Sequence, residues 1–298
     1  MLIARHITTL WGRWWFIPFL PVVYLGFVYA IGDLRPEHIV IVAAIVFLGV
    51  VNLQTKTLLI AAIPGIAIGF GYEIVRYVRP MFVTADRVLG CELRDLEIRL
   101  FPAGPDLTWP EYFAANHSAA LDIFFTIPYS IFWFVAVAYG ILLFFINRPR
   151  MGRYLWTLAI THVVAFTIWM ALPAAPPWYI GMHGCAIDID ALPNAAALLR
   201  IDALFGVGYF ESFYSRAPSV FGALPSLHCA FPVVGLVTAW RDSGWKERFV
   251  HIAYAVWMFV ASVYLVHHWL LDSLLGVTIV VVVYAVIARF FPRGTVGN

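Results

Sequence analysis

Eight apolar stretches dominate this chain of 298 residues, at about 14–32, 38–55, 57–72, 119–147, 154–177, 226–240, 249–266 and 271–288, and the only acids inside them are Asp122 and Asp272. A helix needs roughly 20 apolar residues to cross the hydrocarbon core of a bilayer, and lipid tolerates only helices or closed barrels. The pattern therefore predicts an all-α integral membrane protein with about eight transmembrane helices. The stretch 57–72 is short and carries Pro64 and three glycines, which makes it the weakest span. No small-residue cleavage site follows the first stretch, so it reads as a retained helix. Charged residues make up 12% and hydrophobic residues 62%, where a soluble domain carries about 25% charge. That balance excludes disorder, a secreted disulfide scaffold and nucleic-acid binding. The three cysteines, Cys91, Cys185 and Cys229, have no metal-like spacing, and their odd number argues against a disulfide framework.

The few charges set an orientation. Arg5, Arg13, Lys56, Arg148, Arg150, Arg153, Arg241, Lys246, Arg248, Arg289 and Arg293 share the side of the termini with only Asp242 and Glu247. The opposite side is acidic and holds two long loops, 73–118 and 178–225. An excess of Lys and Arg in short loops marks the cytoplasm, so the termini are expected inside and the long loops outside. The first loop contains five arginines and mixes apolar with charged residues at helical spacing, which suits an amphipathic helix in the interface. Trp and Tyr at many span ends, Trp178 and Tyr179 included, fit an interfacial belt.

Ionisable residues at membrane depth are costly, and each is a functional hypothesis. Two motifs pass this filter: GALPSLHCA at 222–230 and SVYLVHHWLLDSLLG at 262–276. On a helix, His268 and Asp272 share a face, and the carboxylate can hold one imidazole nitrogen and raise the basicity of the other. His228 adds a second imidazole suited to acid–base work. Each of these residues alone is equally a helix cap or a headgroup-facing side chain; the three together are not. A zinc site from His228, His267, His268 and Asp272 is a weaker rival, since no HExxH pattern accompanies them. His162 and His251 fall in the cytoplasmic halves of their helices and read as packing residues. Asp188, Asp190, Asp202 and Glu211 read as solvated loop acids.

PSLHCA followed by HHWLLD resembles the second and third signature motifs of the type 2 phosphatidate phosphatase superfamily. FGALPSLHCA, VHHWLLD and LPAAPPWY at 172–179 are most similar to its inositol phosphorylceramide synthase branch. The resemblance covers about 119–290. It implies a six-helix catalytic core over 57–298, with 1–56 as a two-helix membrane extension. It also implies that His268 attacks phosphorus and becomes a phosphohistidine, that Asp272 orients it, and that His228 moves the proton, with no metal or cofactor required.

The chain departs from the phosphatases where they bind phosphate. Their first motif carries Lys and Arg where this chain has PAAPPWY, and an Arg six residues before the nucleophile is here Ser262. A cation-poor site suits a singly charged phosphodiester better than a dianionic monoester, because unmatched buried charge is heavily penalised. Arg216 is the expected phosphate ligand, gripping two oxygens, with Arg200 a weaker alternative. Asp122 is expected to accept hydrogen bonds from a polyol headgroup. Ser226, His267, Trp178 and Tyr179 complete the expected substrate-binding set.

The resemblance thus implies a membrane phosphotransferase that moves a phospho-headgroup, phosphoinositol from phosphatidylinositol, to a lipid alcohol such as ceramide. The alternative is a lipid phosphate phosphatase acting on a phosphatidate-like or polyprenyl phosphate. A transporter or scaffold leaves the histidine motifs unexplained. Membrane lipids are the expected partners. The termini are short and lack long polar tails, so a bacterial plasma membrane is expected, with the active site extracytoplasmic.

Overall fold

A computed structural model describes residues 2–291, and Arg293 of the expected cytoplasmic set lies outside them. Among the described residues the chain is helical, with only isolated β-bridges. Among the described residues, three helices are long and apolar enough to cross a membrane, or up to five if each of two bent helix pairs is one span. The protein is a membrane protein. The expected count of eight spans is met only in part.

The chain divides into two compact units, Met1–Ile63 and Pro64–Asn298. In the first, α1 (Leu2–Trp11), α2 (Leu20–Ala30), α3 (Pro36–Val51) and α4 (Leu53–Ala61) break two of the apolar stretches. Residues 14–32 begin with two 3₁₀ turns, Gly12–Trp14 and Ile17–Phe19. Residues 38–55 are cut at Asn52, whose side chain accepts the Thr55 N–H at 2.9 Å and so starts α4.

The second unit contains α5 (Ile63–Phe82), α6 (Cys91–Leu100), α7 (Trp109–Ala115), α8 (Ala119–Ile146), α9 (Arg148–Ala171), α10 (Pro177–His183), α11 (Leu199–Phe205), α12 (Tyr209–Tyr214), α13 (Leu227–Ala239), α14 (Trp245–Tyr264) and α15 (Leu270–Phe290). The expected third stretch does not end at residue 72, because α5 runs on through Arg76 and Arg79. At 13 residues α13 rises about 20 Å, less than the roughly 30 Å of a hydrocarbon core. It packs among α8, α9, α14 and α15 as the centre of the bundle. Small polar groups join these helices where they cross. The Ser262 hydroxyl lies 3.1 Å from that of Ser273 and 3.3 Å from the Cys229 sulfur, linking α14, α15 and α13.

At the other end of the bundle, the two acids of the cation-rich side are both engaged by buried arginines. Arg150 pairs with Glu247 and Tyr139, and Arg153 with Asp242. His251 joins this network through the Tyr139 hydroxyl, at 3.2 Å, rather than only packing. His162 is buried among the rings of Tyr72, Phe166 and Phe231.

The long loops are ordered over the motif end. Ala174 bridges to both Leu89 and Gly222, so the PAAPP segment lies between the two loops. Cys91 and Cys185 form a disulfide that ties the start of α6 to the segment after α10. This corrects the expectation drawn from the odd cysteine count: the third thiol, Cys229, is simply buried in the bundle. Asp202 is likewise no solvated acid. It is buried and accepts the N–H groups of Phe210 and Glu211, which starts α12.

Candidate active site

The PSLH and HHWLLD segments meet because their backbones bond directly. The Ser226 N–H donates to the Asp272 carbonyl at 2.9 Å. Gly276, one turn further along α15, permits this approach, since a Cβ there would sit 2.3 Å from the Ser226 carbonyl oxygen. Ser226 caps α13, its hydroxyl accepting the Cys229 N–H at 3.3 Å. It is fully buried, so its expected contact with substrate gives way to a capping role.

His268 lies in the turn between α14 and α15, not on a helix as the spacing implied. The Ser262 carbonyl accepts both the His267 and the His268 N–H, at 3.2 and 3.1 Å, and this fixes the turn. The His268 Nδ1 is 3.1 Å from the Ala223 carbonyl and 3.5 Å from the Asp272 Oδ2. Both neighbours only accept, so Nδ1 carries the proton and Nε2 presents its lone pair. Asp272 therefore orients His268 jointly with a backbone carbonyl. Its Oδ2 also accepts the Trp269 N–H at 2.9 Å, capping α15.

The His268 Nε2 faces the His228 Nδ1 at 3.1 Å. His228, half-buried in the first turn of α13, also lies 3.1 Å from the Tyr129 hydroxyl, and the two rings stack at 4.0 Å. His267 is buried with its ring 5.1 Å from Tyr129 and 4.8 Å from Tyr214 of α12. Its Nε2 bonds the Ala195 carbonyl at 3.1 Å, and burial pushes its pKa down to about 3, so it is neutral. Among the described residues, no three His, Cys, Asp or Glu side chains are placed to hold a metal ion.

A second polar cluster lies at the start of α8. The Asp122 carboxylate accepts the Tyr264 hydroxyl at 2.8 Å and forms an ion pair with the Arg200 guanidinium at 2.8 Å, with His117 at 3.4 Å. Asp122 is buried with protein partners in place of the open headgroup acceptor expected, and Arg200 and His117 are the more accessible members. Arg216 is exposed on the segment leading to PSLH, and its carbonyl accepts from Arg76 at 2.8 Å. Trp178 and Tyr179 are buried in the apolar cluster beneath the loops with Trp269, rather than walling an open site. The Tyr179 hydroxyl donates to the Ala186 carbonyl at 3.0 Å and accepts the Asp188 N–H at 2.7 Å.

Sequence reasoning missed Tyr129 and Glu97. Tyr129 had a usable signal, since Asp122, Thr126 and Tyr129 at i, i+4 and i+7 mark one polar face of α8. Glu97 had none: it looks like one of several charges on a surface helix. In the fold it is fully buried, and its Oε1 accepts the Leu271 N–H at 2.7 Å, capping the helix that carries Asp272. Burial pushes its carboxyl up to about 7; the backbone bond opposes the shift and the nearby Asp272 adds to it.

Residues 100–286 match the PAP2 superfamily. The chain is similar to a phosphoinositol dihydroceramide synthase of Bacteroides thetaiotaomicron, with 34% identity over 252 residues, 82% of this chain and 81% of that protein. It is also similar to the inositol phosphorylceramide synthase catalytic subunit of Schizosaccharomyces pombe, 30% identical over 55% of this chain and 39% of that protein. The inositol phosphorylceramide synthase of Candida albicans is 30% identical over 60% of this chain and 39% of its own length. No solved structure gives a significant match.

Proposed function

The chain belongs to the PAP2 superfamily, and on that footing we propose that it is a metal-independent membrane phosphotransferase that moves phosphoinositol from phosphatidylinositol to ceramide or a related sphingoid lipid alcohol. The observation that carries the chemistry is the 3.1 Å approach of His228 Nδ1 to the lone-pair nitrogen of His268. It gives a nucleophile and an acid–base group at one point. The similarity to synthases of phosphoinositol ceramides, spread over most of the chain, supports the donor and acceptor.

His268 Nε2 attacks the phosphodiester phosphorus, and the bond to the diacylglycerol oxygen breaks. His228 enters this step as an imidazolium, its charge matched by the anionic diester, and its Nδ1 proton passes to the departing oxygen. The acceptor hydroxyl then gives its proton back to His228 Nδ1 while its oxygen attacks the phosphohistidine and frees His268. Arg216, exposed beside PSLH, is assigned to the phosphate. Arg200 and His117 at the mouth of the Asp122 cluster are assigned to the inositol hydroxyls. His267 is assigned to the wall of the site.

The Cys91–Cys185 disulfide supports an active site facing an oxidising compartment, because disulfides persist there and not in the cytosol. That side agrees with the excess of cations at the other end and with the outer face of a bacterial plasma membrane. Purified protein in detergent, given phosphatidylinositol with ceramide and, separately, phosphatidate, tests the reading by mass spectrometry. Phosphoinositol ceramide and diacylglycerol are the expected products. Free phosphate from phosphatidate without headgroup transfer overturns the proposal in favour of a phosphatase.

A further inference from the structure

The site lacks the cations with which the phosphatases hold phosphate, and Arg216 is assigned to it only from the exposed loop, so a further donor inside the site has to meet the non-bridging oxygens. The hydrogens at the histidine pair identify one. His268 Nδ1 faces two acceptors and holds its proton there, so Nε2 is a bare acceptor. His228 Nδ1, 3.1 Å from that lone pair, must itself carry a proton. The Tyr129 hydroxyl, 3.1 Å from the same Nδ1, therefore has no lone pair there to donate to. The rings are stacked with only 14° between their planes, so the hydroxyl meets Nδ1 over the ring face and not along its N–H bond. A phosphoryl group arriving at His268 Nε2 replaces the bond between the two imidazoles and brings its oxygens to this hydroxyl.

Resting on the phosphotransfer reading above, we propose that Tyr129 is a further catalytic residue whose hydroxyl donates to a non-bridging oxygen of the phosphoryl group in transit. Tyr214, whose hydroxyl accepts from that of Tyr129 and whose ring packs on His267, positions it from the outer loop, and the arriving phosphoryl oxygen takes over the Tyr129 proton from Tyr214. A neutral donor in a buried site stabilises charge that builds on the phosphoryl oxygens without the dianion-matching charge of an arginine. This accounts for a cation-poor site: one hydroxyl suits a diester with a single negative charge.

The test compares wild type with Tyr129→Phe, which keeps both ring stacks, on phosphatidylinositol and on its two phosphorothioate diastereomers, with ceramide as acceptor. Loss of one such donor lowers kcat by about 100-fold on the oxygen donor. Sulfur accepts hydrogen bonds poorly, so for the diastereomer that turns sulfur to Tyr129 the variant and wild type should differ by less than about threefold. The other diastereomer should keep the full loss. Rate ratios between donors within one variant do not depend on how much of it is folded. A kcat for Tyr129→Phe close to that of wild type overturns the inference. So does an equal loss on all three donors, which would mean that Tyr129 acts only through His228. A wild-type enzyme that transfers nothing from phosphatidylinositol overturns the donor reading beneath it, a result distinct from an active wild type with an unaffected variant.

Discussion

Ser226 and Asp272 are joined through their backbones, the N–H of one donating to the carbonyl of the other at 2.9 Å. This bond sets the spacing of the two histidine motifs, because His228 follows Ser226 by two residues and His268 precedes Asp272 by four. The site is built on a contact between main chains and is therefore sensitive to anything inserted between them.

Gly276→Ala inserts a methyl group at that contact, 2.3 Å from the Ser226 oxygen. Backbone cannot yield as a flexible side chain does, and overpacking of this kind costs about 1–3 kcal/mol. The expected outcome is a lower Tm together with a fall in kcat of at least tenfold, read by thermal shift and by the transfer assay. A normal kcat would mean that α15 and the PSLH turn can separate without harm.

His268→Ala should abolish transfer, whereas Asp272→Asn should leave measurable activity. The Ala223 carbonyl still holds the Nδ1 proton of His268 in that variant, and an asparagine oxygen can still accept the Trp269 N–H. A loss of about 10²-fold for Asp272→Asn, against complete loss for His268→Ala, is expected when an orienting group shares its task. Single-turnover labelling of the protein by a phosphorus-labelled donor measures both.

Glu97 makes stability depend on pH. Its folded pKa is raised from 4.5 to about 7, so between these values the folded protein holds a proton that the unfolded chain has released. Stability therefore falls as pH rises from about 4.5 through 7, by an amount on the order of 3 kcal/mol. Tm should be higher at pH 5.5 than at pH 8, and Glu97→Gln, neutral throughout, should flatten this part of the profile. An unchanged slope in that variant would assign the effect to another group.

Reduction of the Cys91–Cys185 bond, or its replacement by serines, should lower stability by about 2–4 kcal/mol, since the bridge closes a long segment. The catalytic turn is held by other bonds, so kcat at low temperature should change by less than about threefold, within the effect of a remote site. A complete loss of activity on reduction would show that α6 and its Glu97 contact depend on the bridge.

Much of the site was legible because its chemistry is carried by residues that lipid makes expensive. His228, His268 and Asp272 stood out against an apolar background, and the structure brings them together. Asp122 stood out equally, yet it serves Arg200, Tyr264 and His117, because a lone carboxylate says nothing of its partner. Proximity to the motifs in sequence suggests Ser226, Trp178 and Tyr179 as substrate contacts, whereas in the fold they are buried as a cap and loop supports. Tyr129 shares a polar face of α8 with Asp122, but it is 99 residues from His228, so that face does not show which histidine it meets.

The sequence by itself determined the solvent and the chemistry. Eight apolar stretches in a chain with only 12% charged residues require lipid, and paired histidine motifs at membrane depth point to a functional site. The tertiary structure decided which nitrogen of each histidine faces the other, that a backbone carbonyl holds His268 together with Asp272, that Tyr129 stacks on His228, and that Glu97 caps the helix carrying Asp272. Hydropathy and motif spacing act along the chain. Tautomers, caps and stacked rings depend on distances of about 3 Å between segments, which exist only once the helices have packed.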